Sequence, residues 1–161
     1  MDINGFKGSF QDLARANRFK VRLSRLGGTM EFLCKGTDMP GQNLEAMDVA
    51  YQGRTIKEVG DRTQTDWTVT VYGENAMSIY QACDAWMEEG NGQDSNVGAP
   101  ASALREQGQV QLMGRDGSVL MTKNIVDCFP TELGSLSLDW GSNNTPLEFT
   151  ITFAFNTAPL A

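Results

Sequence analysis

The sequence predicts a mainly β fold: a single-domain β-sandwich or partly open barrel with one flanking α-helix and a long hairpin. Three observations carry that prediction. Several short segments alternate apolar and polar residues with the period of a half-buried strand. The cleanest is Leu147 to Asn156, with Phe149, Ile151, Phe153 and Phe155 on one face and Thr150, Thr152, Ala154 and Asn156 on the other. Only Asn75 to Glu89 has the three-and-four spacing of an amphipathic helix. The chain has 161 residues, 40% of them hydrophobic, which is enough for one domain with its own core.

The first residues, MDINGFKGSFQDLARAN, lack an apolar run of secretory length, and Phe6, Phe10, Leu13 and Ala14 suit a short amphipathic turn. No membrane-spanning segment is expected, and synthesis in a reduced cytoplasm is. From Arg18 to Arg25, Phe19, Val21 and Leu23 alternate with Lys20, Arg22 and Ser24. The turn signal Leu26-Gly27-Gly28-Thr29 follows, and Met30 to Lys35 places Met30, Phe32 and Cys34 on one face, so an antiparallel hairpin of these two segments is expected. The basic face of Arg18, Lys20 and Arg22 has no interleaved aromatic. Composition therefore favours a solvated or subunit-facing side over a phosphate track.

Met39-Pro40-Gly41 breaks the extended run, because proline fixes its φ and lacks an N–H while the glycine can turn back. Asn43 to Tyr51 and Arg54 to Val59 then flank Gln52-Gly53, a two-residue hairpin turn. In this hairpin Leu44, Met47, Val49 and Tyr51 mix with Glu45, Asp48, Arg54, Lys57 and Glu58. That is too little apolar surface for a core and too much to lie idle in water. The residues alone leave two readings open: an arm that docks on another subunit, or a hairpin folded back on its own domain.

Thr65 to Tyr72 alternates Trp67, Val69 and Val71 against Thr68, Thr70 and Tyr72. In the helix of residues 75–89, Ala76, Ile79, Tyr80, Cys83, Trp86 and Met87 form the apolar stripe, with Asn75 and Gly90 as expected caps. Asp84, Glu88 and Glu89 cluster near its C-terminus, where the helix dipole disfavours acids. They read either as a solvated face or as a contact for a basic partner. Residues 90–107, rich in Gly, Asn, Ser and Ala, read as a long flexible loop rather than a linker between domains. Gln109 to Met113 and Val119 to Cys128 form a hairpin around Asp116-Gly117. Phe129-Pro130 predicts a bend or an edge; Glu132 to Trp140 follows, and Gly141 to Pro146 is a polar loop.

Charge and inventory exclude several functions. The formal net charge is -7, with 13 basic and 20 acidic residues, so the molecule as a whole repels nucleic acid and anionic membranes. The imbalance is local: residues 1–62 hold 10 Lys and Arg against 8 Asp and Glu, whereas 63–161 hold 3 against 12. With no histidine and no CxxC pair, a Cys/His zinc site and every His-dependent triad are ruled out. Cys34, Cys83 and Cys128 read as free, mostly buried thiols. Gly90-Asn91-Gly92 lacks the third glycine and the preceding strand of a dinucleotide site, and Asp94, Asn96 and Gly98 miss the calcium-loop spacing. Carboxylates such as Asp61 and Asp66 are available, but nothing orients them. No catalytic, cofactor or metal residue is assigned, and the expectation is a protein that is not an enzyme.

The strings LCKGTDMPGQN, GRTIKEVGDRT and DWTVTVYG, with LARANRFKVRL upstream and CFPTELGSLSLDWGSNNTPLEFTITFAFN downstream, resemble the tail tube proteins of contractile-tailed bacteriophages. They cover most of the chain from Leu13 to Asn156, in the same order, and none of them is catalytic. The resemblance implies one tail tube domain over residues 1–161, forming hexameric rings with a continuous inner β-barrel. The rings stack into a hollow conduit for genome DNA, which passes without tight binding, inside a contractile sheath. It implies a virion protein whose partners are further copies of itself, the tail sheath protein, and baseplate and tail terminator proteins. The hairpin over residues 38–61 becomes a projecting, ring-stacking arm, with Met39, Pro40, Leu44, Met47, Val49, Tyr51, Arg54 and Lys57 as contact residues. Asp84, Glu88 and Glu89 become a sheath contact. The Thr faces of residues 65–72 and 147–156 suit a wet lumen. A tube subunit of a related contractile injection or type VI secretion machine, and a non-catalytic β-sandwich binding module, are the alternatives.

Overall fold

A computed structural model describes residues 13–161, together with Ile3 and Gly8; the expected turn around Phe6 and Phe10 lies outside the described residues, and Leu13 and Ala14 are exposed. The strands are β1 (Phe19–Leu23), β2 (Cys34–Thr37), β3 (Asn43–Tyr51), β4 (Arg54–Thr63), β5 (Trp67–Tyr72), β6 (Glu106–Met113), β7 (Val119–Leu133) and β8 (Glu148–Ala154). The helices are α1 (Thr29–Leu33), α2 (Ser78–Gly90) and α3 (Ala101–Leu104). Six strands form one antiparallel sheet in the order β1-β6-β7-β8-β5-β2, and among the described residues β3 and β4 pair only with each other.

Strand β7 is the spine. Its first part pairs with β6 and its last residues, Phe129 to Leu133, pair with β8, so one long strand joins two half-sheets that fold over a common core. The changeover is built by Asp127, which holds φ 57 and accepts a hydrogen bond from the Asn156 side-chain amide at 2.9 Å. A second irregularity follows between Pro130 and Glu132, where proline cannot donate to the ladder. The bend expected at Phe129-Pro130 is therefore present, but it begins earlier, at Asp127. Among the described residues the sheet does not close, and β1 and β2 are its edge strands.

The core is filled from both halves. Val21, Leu23, Val110 and Ile125 face Trp67, Val69, Ile151 and Phe153, all at most 2% exposed. Phe153 lies between two indoles, with ring centroids 5.3 Å from Trp67 and 6.2 Å from Trp86. Each buried indole N–H finds an acceptor, Trp67 on the Thr37 hydroxyl at 2.7 Å and Trp86 on the Leu104 carbonyl at 2.9 Å. Helix α2 covers this core with Ile79, Cys83 and Trp86, one above the other at helical spacing.

Four expectations are corrected. Residues 30–33 are not strand. They make the helical turn α1, in which Met30 is buried and Phe32 is 84% exposed, because residues two apart point in nearly opposite directions on a helix. The hairpin of residues 18–35 is consequently absent: β1 pairs with β6 and β2 with β5. Helix α2 starts at Ser78, not Asn75. Met77 stands before it in the left-handed region, and the Glu74 carboxylate takes the Ser78 backbone N–H and hydroxyl; Gly90 belongs to the last turn. Finally, residues 90–107 are tied down. They contain α3 and the start of β6, and the Ala99 N–H donates to the Glu89 carbonyl at 2.8 Å. Gly98 packs so closely on the Gly90 carbonyl that a Cβ there would lie 2.0 Å from the oxygen.

Candidate assembly surfaces

The β3–β4 ribbon is built around Gln52-Gly53, both at positive φ (45 and 78), the turn whose twist matches two antiparallel strands. That turn fixes the register. Met47 faces Glu58, Val49 faces Ile56 and Tyr51 faces Arg54, so one face of the ribbon carries Met47, Val49, Tyr51 and Ile56. The opposite face carries Asp48 and Lys57, an ion pair at 2.9 Å, with Ala46 and Ala50. All nine residues of β3 are exposed, and of β4 only Gly60 is not. Gly60 sits at a bulge between Leu44 and Ala46, where a Cβ would approach the Glu45 carbonyl oxygen at 3.0 Å. At about 3.3 Å per residue, the nine residues of β3 reach roughly 30 Å.

Of the eight residues expected to contact a neighbouring ring, Leu44, Met47, Val49, Tyr51, Arg54 and Lys57 stand on this exposed ribbon. Met39 and Pro40 do not. Met39 packs on the core and Pro40 is buried, its carbonyl accepting from the ammonium of Lys123. These two lie at the base of the ribbon, against the body of the domain. Ile56, 58% exposed, belongs to the ribbon's apolar face and was not singled out from sequence; Val59, 77% exposed, pairs with Ala46 on the opposite face. Counting back from the Gln52-Gly53 turn would have placed Ile56 opposite Val49.

The three acids of α2 have different surroundings. Glu89 pairs with Arg25, whose guanidinium also lies over the Trp86 ring, 5.1 Å from its centroid. Glu88 accepts the Gln93 backbone N–H at 3.0 Å, and Asp84 is exposed. The basic face of β1 is likewise engaged. Lys20 and Arg22 both reach Glu31, at 2.6 and 3.1 Å, which holds that carboxyl below the usual range, and Arg18 donates to the Arg115 carbonyl at 3.0 Å. No row of open cations remains there to track phosphates.

On the sheet face away from the core, β5 and β8 make a hydroxyl ladder: Thr68 lies beside Thr152 and Thr70 beside Thr150. Next to it Tyr72 pairs with Glu148, which also takes the Lys35 ammonium at 2.5 Å. A second exposed apolar site lies in the connection of residues 134–147. Here Trp140 is fully exposed and Leu138 nearly so, beside a cleft of about 660 Å³ that Asp139, Thr145 and Leu147 help to line. The three cysteines are free, and burial pushes Cys83 and Cys128 up to about 12 and Cys34 up to about 11. Among the described residues no helix is long and apolar enough to cross a membrane.

A family profile described as phage tail tube protein matches residues 6–157. The chain is 35% identical over 147 residues to the tail tube protein gp19 of Enterobacteria phage T6 and to that of Enterobacteria phage T4, covering 90% of each chain in both cases. In fold it is similar to the tube-terminating cap of the anti-feeding prophage (TM-score 0.69, 20% identity, 94% and 92% of the two chains covered). It is also similar to a chain of the sheath–tube complex of the extracellular contractile injection system PVC (TM-score 0.63, 17% identity, 100% and 98% covered). An exposed, self-paired ribbon on an open β body, matched over nearly its whole length by these relatives, places the chain in the phage tail tube protein family, as a structural subunit of a tail tube.

Proposed function

We propose that this subunit closes into hexameric rings and that the β3–β4 ribbon stacks each ring on the next, giving a hollow conduit for genome DNA inside a contractile sheath. The observation that carries this reading is the ribbon itself. Its apolar face of Met47, Val49, Tyr51 and Ile56 is unpaired and uncovered in the monomer, and apolar surface of that kind belongs in a protein interface. Arg54 lies on the same face beside Tyr51, Leu44 lies beyond the bulge, and Lys57 stands on the opposite face, paired with Asp48. Ring closure would pair the edge strands β1 and β2, which among the described residues have no further strand beside them.

The Thr ladder of β5 and β8 suits the channel wall. Its nearest cation, Lys35, is neutralised by Glu148, and a chain of net charge -7 offers phosphates little to hold. The role is that of a wall and a strut; no reaction is assigned to it. On the outside, Asp84 with Glu88 and Glu89 would face a basic surface of the sheath protein, although Glu89 must then share its charge with Arg25. Baseplate and terminator proteins would meet the two ends of the stack. A tube of a protein-delivering injection machine would have the same fold, but the 35% identity to phage tail tube proteins favours the phage reading over relatives at 20% and below. Electron microscopy of the purified protein tests it: tubes or stacked rings for the natural chain, and none for Met47→Asp. A strictly monomeric, folded species at high concentration would refute ring formation.

A further inference from the structure

The arm and the Trp140 loop leave the domain at opposite ends of the same strands. The arm departs after Thr37 at the end of β2 and returns just before Trp67 at the start of β5, next to Phe153 at the far end of β8. Residues 134–147 connect Leu133 to Glu148, which is paired with Tyr72 at the other end of β5. The Gly73 N–H donates to the Leu147 carbonyl at 2.8 Å and closes that end. About six residues of strand, roughly 20 Å, separate the two protrusions.

We infer that the loop carrying Leu138, Asp139 and Trp140 is the receiving surface for the β3–β4 ribbon of a second copy of this chain in the adjacent ring. This rests on the reading of the chain as a stacking tube subunit. Stacking identical rings in one direction is a heterologous contact, so one end must present a surface and the other end its complement. The two ends have that relation here. One projects the apolar face Met47, Val49, Tyr51 and Ile56 with Arg54 beside the turn; the other exposes Trp140 and Leu138 beside an open cleft, with the Asp139 carboxylate at its rim. A tryptophan with its whole side chain in water is the type of residue that anchors interfaces, and Arg54 and Asp139 match in sign. Asp139 is also held in place, its carboxylate accepting the Gly141 N–H at 3.0 Å.

Purified rings of Trp140→Ser and of Met47→Asp are imaged alone and as a 1:1 mixture of preformed rings. Both substitutions lie on exposed side chains, and circular dichroism checks that each variant keeps its strands. Single rings for each variant alone and paired rings for the mixture are expected, because only one sound arm and one sound loop remain to meet, and the pair cannot grow. Asp139→Arg combined with Arg54→Asp should recover part of the stacking that either change alone removes, by tenfold or more in critical concentration. Tubes of normal length from Trp140→Ser overturn the assignment of the loop, while the loss of tubes in Met47→Asp alone leaves the stacking function standing. Normal tubes from both variants overturn the stacking function itself.

Discussion

Strands β5 and β8 and strands β3 and β4 are both antiparallel pairs of alternating sequence, yet one pair is the centre of the core and the other stands in solvent. The difference lies in what alternates. In β5 and β8 every inward position is large and apolar, namely Trp67, Val69, Val71, Phe149, Ile151 and Phe153, each at most 3% exposed, and every outward position but Ala154 is polar or aromatic-hydroxyl. In β3 and β4 the apolar face is interrupted by Glu58 and Arg54, and the other face holds alanines, Val59 and an ion pair. Burying the first set drives folding. The second set stays exposed in the single chain, and on the proposed reading its apolar face is buried only against a neighbouring ring.

Changes in the two pairs should separate stability from assembly. The largest effect is expected from Phe153→Ala, which empties the space between two indoles and should cost about 3–5 kcal/mol, read as a large fall in melting temperature. Alkaline pH should come next. Because burial raises the Cys83 and Cys128 thiols to about 12, the unfolded chain ionises them near 9 while the native chain cannot. Their contribution is complete below pH 9 and is lost as pH climbs toward 12, so the melting temperature should fall over that window. A Cys83→Ala, Cys128→Ala protein should start less stable and show a flatter decline.

Lys123→Met sharpens the comparison from a third side. Lys123 is 7% exposed, and its ammonium donates to the Pro40 carbonyl at the base of the arm. The substitution removes the donor to the carbonyl of buried Pro40, so stability should fall by about 1–3 kcal/mol. Assembly should weaken as well, as the arm's departure loosens, and normal assembly would contradict this. The smallest effect on folding is expected from Ile56→Ser, within about 0.5 kcal/mol as for other exposed positions. Its critical concentration for assembly should nevertheless rise, measurable by sedimentation.

Local signals were legible in the sequence and long-range ones were not. The alternation of β5 and β8, the stripe Ile79-Cys83-Trp86 and the Gln52-Gly53 turn are each decided within a few residues, and each appears as read. The partner of β1 is not, since β6 lies more than eighty residues on and a nearer turn signal at Gly27-Gly28 competes with it. Met30 to Leu33 satisfied a strand pattern only because the segment is short enough to fit either period. Asp127 at positive φ gives no compositional warning, and the buried Lys123 looks like any surface lysine until its neighbours are known. On the candidate surface, the mixed composition of residues 38–61 left a projecting and a folded-back hairpin equally open, and only the exposure of both strands separates them. The Trp140 loop was not legible, because Leu136, Leu138 and Trp140 continue the alternation of β7 past Leu133, where the strand has already ended.

Unlike ends on one building block have a consequence for length. A unit with an arm at one pole and a different surface at the other polymerises with a direction, and every unit added restores the same open end that the previous one presented. Nothing in such a block counts. The number of repeats must then be set by something that spans them or by a cap that fits one pole only, and the two tips of the finished polymer are chemically distinct addresses.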